Sequence, residues 1–204
     1  MRTIVTGIMA ALAALGAAWV LAGLPPVGDG VLRGVLALPA TAVLWTLVAL
    51  VHQAGHALGG TVVGLRVTRL DAGLLRIVRT DRRLALRPAL AGLATRLEPS
   101  ADGDLRRRWL VTVLCGPVLS LMFGAQCLAV WLATSSTLLA GNASHLVRAT
   151  SSALLLAGAG SLLLGLAALV PLHIGPLRTD GWTALRLLRH DANVADDVAH
   201  HTRD

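Results

Sequence analysis

Apolar runs of membrane-spanning length recur along this chain with almost no charge inside them, and nothing else in the sequence constrains the fold as tightly. Residues 4–23, IVTGIMAALAALGAAWVLAG, contain no charged side chain. Their length matches the roughly 20 residues that cross a bilayer better than the 7–15-residue core of a cleaved signal peptide. Similar runs occupy 31–60, 110–133 and 149–170. Hydrocarbon offers no partners to backbone groups, so each run must form a helix. The expectation is a mainly α, polytopic membrane protein with about four transmembrane helices in one 204-residue unit. A small β-strand insert follows the second helix.

The chain has no lysine, and its 18 arginines against 11 acids give a net charge of +7. The arginines flank the apolar runs, which fits the positive-inside rule and a lipid-bilayer partner, and argues against nucleic acid. Counting them puts the 65–109 loop and both termini on the cytoplasmic side, with the short 24–30 and 134–148 connections outside. Cys115 and Cys127 lie about 18 Å apart if their segment is helical, too far to pair, and read as small buried apolar residues.

The second run carries the chemistry. TAVLWTLVALVHQAGHALGGTVVG, residues 41–64, holds His52 and His56 four residues apart. On a 3.6-residue helix both imidazoles face one side and can share a metal ion. The spacing is that of HExxH, in which two His ligands bracket a Glu that serves as general base. Here the base position holds Gln53, close to Glu in shape but unable to accept a proton. His52 lies about 12 Å in from the Gly59-Gly60 end, where ionisable groups are costly and mark function. Pro39 is read as a kink or start point of this helix.

Residues 65–109 are polar, with 11 arginines and 5 acids. The stretch from Arg66 to Pro88 reads as short strands with a turn near Thr80-Asp81, in a solvated loop facing lipid headgroups. The third run, 110–133, contains Gly116-Pro117. The fourth ends at Pro171, and its Gly158, Gly160 and Gly165 offer a small-residue face for helix contact. Residues 182–190 then suggest a short interfacial amphipathic helix.

A catalytic zinc takes three protein ligands and keeps one open position. Asp180 is the best third ligand, because it follows a helix break, precedes Gly181 and brings a hard anionic oxygen. His173 reads as a lining or interfacial residue, and the tail histidines are more remote.

The His52-x-x-x-His56 motif in an apolar helix, Gly116-Pro117 in the next run and Asp180-Gly181 after the last together resemble the site-2 protease family of intramembrane zinc metalloproteases. The resemblance covers about residues 41–185. It implies Zn2+ held by His52, His56 and Asp180, with Gln53 where the family has its catalytic Glu. Gly116, Pro117, Ser120 and Ala168 fall at accessory or substrate-handling positions. Ser120 stands where the family has Asn after Gly-Pro, and Ala168 where it has the Asn of Asn-x-x-Pro. The implied substrate is a transmembrane or membrane-anchored protein, and the implied location a bacterial cell membrane with the metal toward the cytoplasm. The chain has no room for the PDZ domain that some members carry, and its oligomeric state is not legible. Loss of the base costs about 10²–10⁴-fold in rate, so little proteolysis is expected of this chain. Two explanations of Gln53 stay open: a substitution that traps the enzyme, or a natural pseudoprotease that binds transmembrane helices without cutting them.

Overall fold

The computed structural model describes residues 30–80, 83–99, 104–139, 144–174 and 177–189. The span expected at 4–23 and the histidines of the tail lie outside the described residues. In chain order the elements are α1 (Gly30–Val62), β1 (Leu65–Thr80), β2 (Arg83–Pro99), α2 (Leu105–Leu139), α3 (His145–Leu169), β3 (His173–Ile174), β4 (Leu177–Arg178) and α4 (Asp180–Leu188). Three described helices are long and apolar enough to cross a membrane, over Pro39–Val62, Leu105–Ser135 and Val147–Leu169. The chain is thus a mainly helical protein of membrane type, with two two-stranded antiparallel sheets among the described residues.

Glycines let the three long helices approach closely. A Cβ on Gly55 would stand 2.5 Å from the Cys115 carbonyl oxygen, and one on Gly165 would stand 3.0 Å from that of Pro117. Gly158 backs onto Leu128 and the Gly124 carbonyl, so two of the three small residues noted in the fourth run do face a neighbouring helix, α2. Gly160 looks instead toward Val48 on α1. Such seams suit helices that gain packing, rather than a hydrophobic driving force, from association in lipid. The pairing order makes α2 antiparallel to both α1 and α3. Cys115 and Cys127 are free, as their spacing required.

The insert differs from its sequence reading. Its strands are long, 16 and 17 residues, and pair from Leu65↔Pro99 to Thr80↔Arg83, which puts the turn near the expected place. Its first half is not a solvated loop. Leu65 and Leu97 pack at Gly60, while Gly73 and Leu74 meet Thr46, so the hairpin lies antiparallel along α1 for about 21 Å. Leu70 and Ala72 are buried against Ala49. The alternation of apolar and charged residues allows this, since one face of the ladder meets the helix and the other carries arginines.

A corner forms at Gly73, whose φ of +58° is in the left-handed region. There β2 advances four residues while β1 advances two, from Gly73↔Gly92 to Leu75↔Pro88. Arg76 can therefore reach back to Asp71, with Nε 2.8 Å from Oδ1, although five residues of straight strand would separate them by about 16 Å. Arg69 bonds the same carboxylate.

Below the hairpin, Trp109, Leu187, Leu65 and Leu97 form a core that docks α4 against the start of α2. This core fixes where Asp180, at the other end of α4, can stand.

Candidate metal centre

His52 and His56 lie about 15 and 9 Å from the C-terminal end of α1, and both are buried, 5% and 9% exposed. Their Nε2 atoms are 3.2 Å apart. Asp180 completes a triangle, its Oδ2 lying 3.2 Å from His52 Nε2 and 3.4 Å from His56 Nε2. The three residues are thus grouped so that they could hold a metal ion.

Asp180 reaches the histidines because the chain breaks sharply after α3. Thr179 caps α4, its Oγ1 accepting from Trp182 N–H and donating to the Val170 carbonyl at 2.6 Å, which ties the new helix to the end of the old one. Gly181 presses on the Leu169 carbonyl so closely that no Cβ fits. Burial alone would raise the Asp180 carboxyl, but hydrogen bonding to His52 and His56 outweighs it and holds the group at about 2. It is an anion at neutral pH.

The outer nitrogens are also committed. His56 Nδ1–H donates to the Thr112 carbonyl at 2.9 Å, and a carbonyl can only accept, so the neutral ring presents a bare Nε2 lone pair. His52 Nδ1 lies 2.9 Å from Ser120 Oγ. Once both rings have given up the Nε2 hydrogens that otherwise bond Asp180, and His52 Nδ1–H donates to that hydroxyl, two lone pairs and a carboxylate converge with no hydrogen between them. A cation relieves that repulsion, and outer partners of this kind orient metal-binding imidazoles.

The remaining candidate residues take distinct places. Gly116 lies against the His56 ring, Pro117 is fully buried beside it, and Ser120 is the His52 partner just described. Pro117 has no N–H for the Val113 carbonyl, which removes a rung one residue from the carbonyl that His56 uses. Gln53 is buried, and its Oε1 accepts from Thr95 Oγ1 of β2 at 2.6 Å. Ala168 is half-buried in the last turn of α3, with no polar atom to offer. His173 stays outside the triangle and stacks on Trp182, ring centres 5.3 Å apart.

Two partners escaped the sequence reading. Thr112 acts through its carbonyl, which every residue possesses and no motif marks. Thr95 left a fainter trace, as a polar residue two positions before buried Leu97 on the same face of β2. No family model, curated protein or solved structure matches the chain.

Proposed function

We propose that this chain is the scaffold of an intramembrane zinc endopeptidase of the site-2 protease type, held inactive by Gln53. The observation that carries this reading is the triangle of His52 Nε2, His56 Nε2 and Asp180 Oδ2, with edges of 3.2, 3.2 and 3.4 Å. Zinc binds nitrogen and oxygen ligands tetrahedrally at 2.0–2.1 Å, which separates ligand atoms by about 3.3 Å. The residues present therefore fit the ion without rearrangement.

Bound there, zinc would supply Lewis acidity, polarising a peptide carbonyl and making water acidic near neutral pH. The protein's share is to hold three donors, exclude bulk water and move a proton. His52, His56 and Asp180 do the first, and burial between α1, α2 and α4 does the second. The third belongs to residue 53. A Glu there would take a proton from attacking water and return it to the leaving amine, whereas a glutamine amide can only hydrogen-bond. The proposed substrate class is a transmembrane or membrane-anchored protein whose helix unwinds before cleavage, and the arginine distribution favours a site facing the cytoplasm.

The test is Gln53→Glu in detergent-solubilised, zinc-loaded protein, assayed on membrane-protein substrates. Cleavage that appears with Glu and vanishes again with His56→Ala supports the reading. A zinc-loaded Glu form that cuts nothing overturns it. The alternative, a pseudoprotease that holds transmembrane helices intact, rests on two departures from the family pattern, Gln53 for its base and Ala168 for its asparagine. Intact partners co-purifying even with the Glu form would favour it.

A further inference from the structure

The hairpin touches the metal helix at a chemically specific point. Gln53 sits between the two histidine ligands in sequence, and its side-chain oxygen is taken by the hydroxyl of Thr95, 42 residues away on β2. The same hydroxyl lies 3.4 Å from the Gln53 main-chain carbonyl, so side chain and backbone are both addressed by one group.

Thr95 is itself well anchored. It pairs across the ladder with Leu70, which is buried against Ala49 of α1, and two residues later Leu97 packs at Gly60. Directly paired residues share a face, so Leu70 and Thr95 both point toward α1. A β-branched side chain on a fixed strand has few rotamers, which makes its hydroxyl a stiff reference point. The side chain at 53, by contrast, has three torsions of its own.

We propose that Thr95 is a positioning residue for side chain 53. Its hydroxyl holds one terminal atom and leaves the other for the chemistry of the site. In Gln53 the held atom is the oxygen and the amide nitrogen is left over. In a Glu form one carboxylate oxygen is held and the second serves as base. The hairpin's seat on α1 thereby sets the orientation of the group between the ligands. This inference rests on the protease reading for its consequence in catalysis, and on the 2.6 Å contact for its geometry.

The chain contains two glutamines, Gln53 and Gln126, so selective 15N-glutamine labelling of the detergent-solubilised protein yields two side-chain amide pairs. The pair lost in Gln53→Glu belongs to Gln53. Thr95→Ala is expected to shift that pair and leave Gln126 in place, and Thr95→Ser to restore it. In the Gln53→Glu background, Thr95→Ala is expected to lower kcat about 10–100-fold with KM within about twofold and zinc per chain unchanged, again rescued by Ser. Unmoved Gln53 resonances overturn the proposal, as does full kcat in the double variant. Loss of zinc in Thr95→Ala would make Thr95 merely structural and equally overturns it. If Gln53→Glu cleaves nothing, the protease reading fails while the amide resonances still decide the role of Thr95.

Discussion

Gly116 lies against the imidazole of His56, with no space for a β-carbon between them. A methyl group there would overlap Cε1 and Nε2, the nitrogen that faces His52 and Asp180. Gly116→Ala is therefore expected to tilt the ring and weaken zinc binding at least 10–100-fold, the scale found when groups supporting a metal ligand are disturbed. Chelator competition measures it, with far-UV circular dichroism confirming that the helices persist. Unaltered affinity would mean that His56 does not bind the metal through Nε2.

The parent chain should carry about one zinc, and His56→Ala or Asp180→Ala should each carry almost none, because two remaining donors leave the ion to water. Elemental analysis of purified protein reads this directly. His173→Ala is the informative control. Its ring stacks on Trp182 away from the triangle, so it should retain zinc, and its loss of metal would displace Asp180 as third ligand.

Ser120 is fully buried and gives His52 Nδ1 its partner at 2.9 Å. Ser120→Ala frees the ring to rotate and leaves a buried polar nitrogen unpaired. Zinc affinity is expected to fall about tenfold or more without change in stoichiometry at saturating metal. A titration that cannot distinguish the variant from the parent would make the Ser120 contact incidental.

Asp71 makes hairpin seating depend on pH. Its burial pushes the carboxyl up, but hydrogen bonds from Arg69 and Arg76 outweigh that and hold it below the ordinary carboxylate range. A folded-state value below the unfolded one, about 3.9, contributes stability that is fully present above about pH 4 and lost as pH falls further. Hydrogen exchange in β1 should therefore stay slow at pH 6 and lose its extra protection below about pH 4. Asp71→Asn should exchange fast at pH 6 already, at a cost of about 2 kcal/mol, since hydrogen bonds to charged groups lie in that range. Equal protection in parent and variant would show that the corner at Gly73 holds without the ion pair.

Much of the centre was legible because its information is local. Helical periodicity alone puts His52 and His56 on one side of α1, and run length alone marks spans at 31–60, 110–133 and 149–170, which overlap the apolar helical stretches at 39–62, 105–135 and 147–169. The Asp-Gly after a Pro-containing break pointed to Asp180 for reasons of backbone freedom and donor chemistry. Tertiary structure decided the rest. Packing of α4 under the hairpin is what carries Asp180 to within 3.4 Å of both histidines and leaves His173 outside, and only the antiparallel seat of α2 on α1 brings the Thr112 carbonyl to His56. The same holds for the hairpin. Alternation announced strands, but the corner at Gly73 and the contact of Thr95 with Gln53 arise from a ladder closing against a helix. Periodicity records which face of an element is apolar; it carries no record of which neighbour will cover that face, and that choice is settled by side-chain fit between segments distant in sequence.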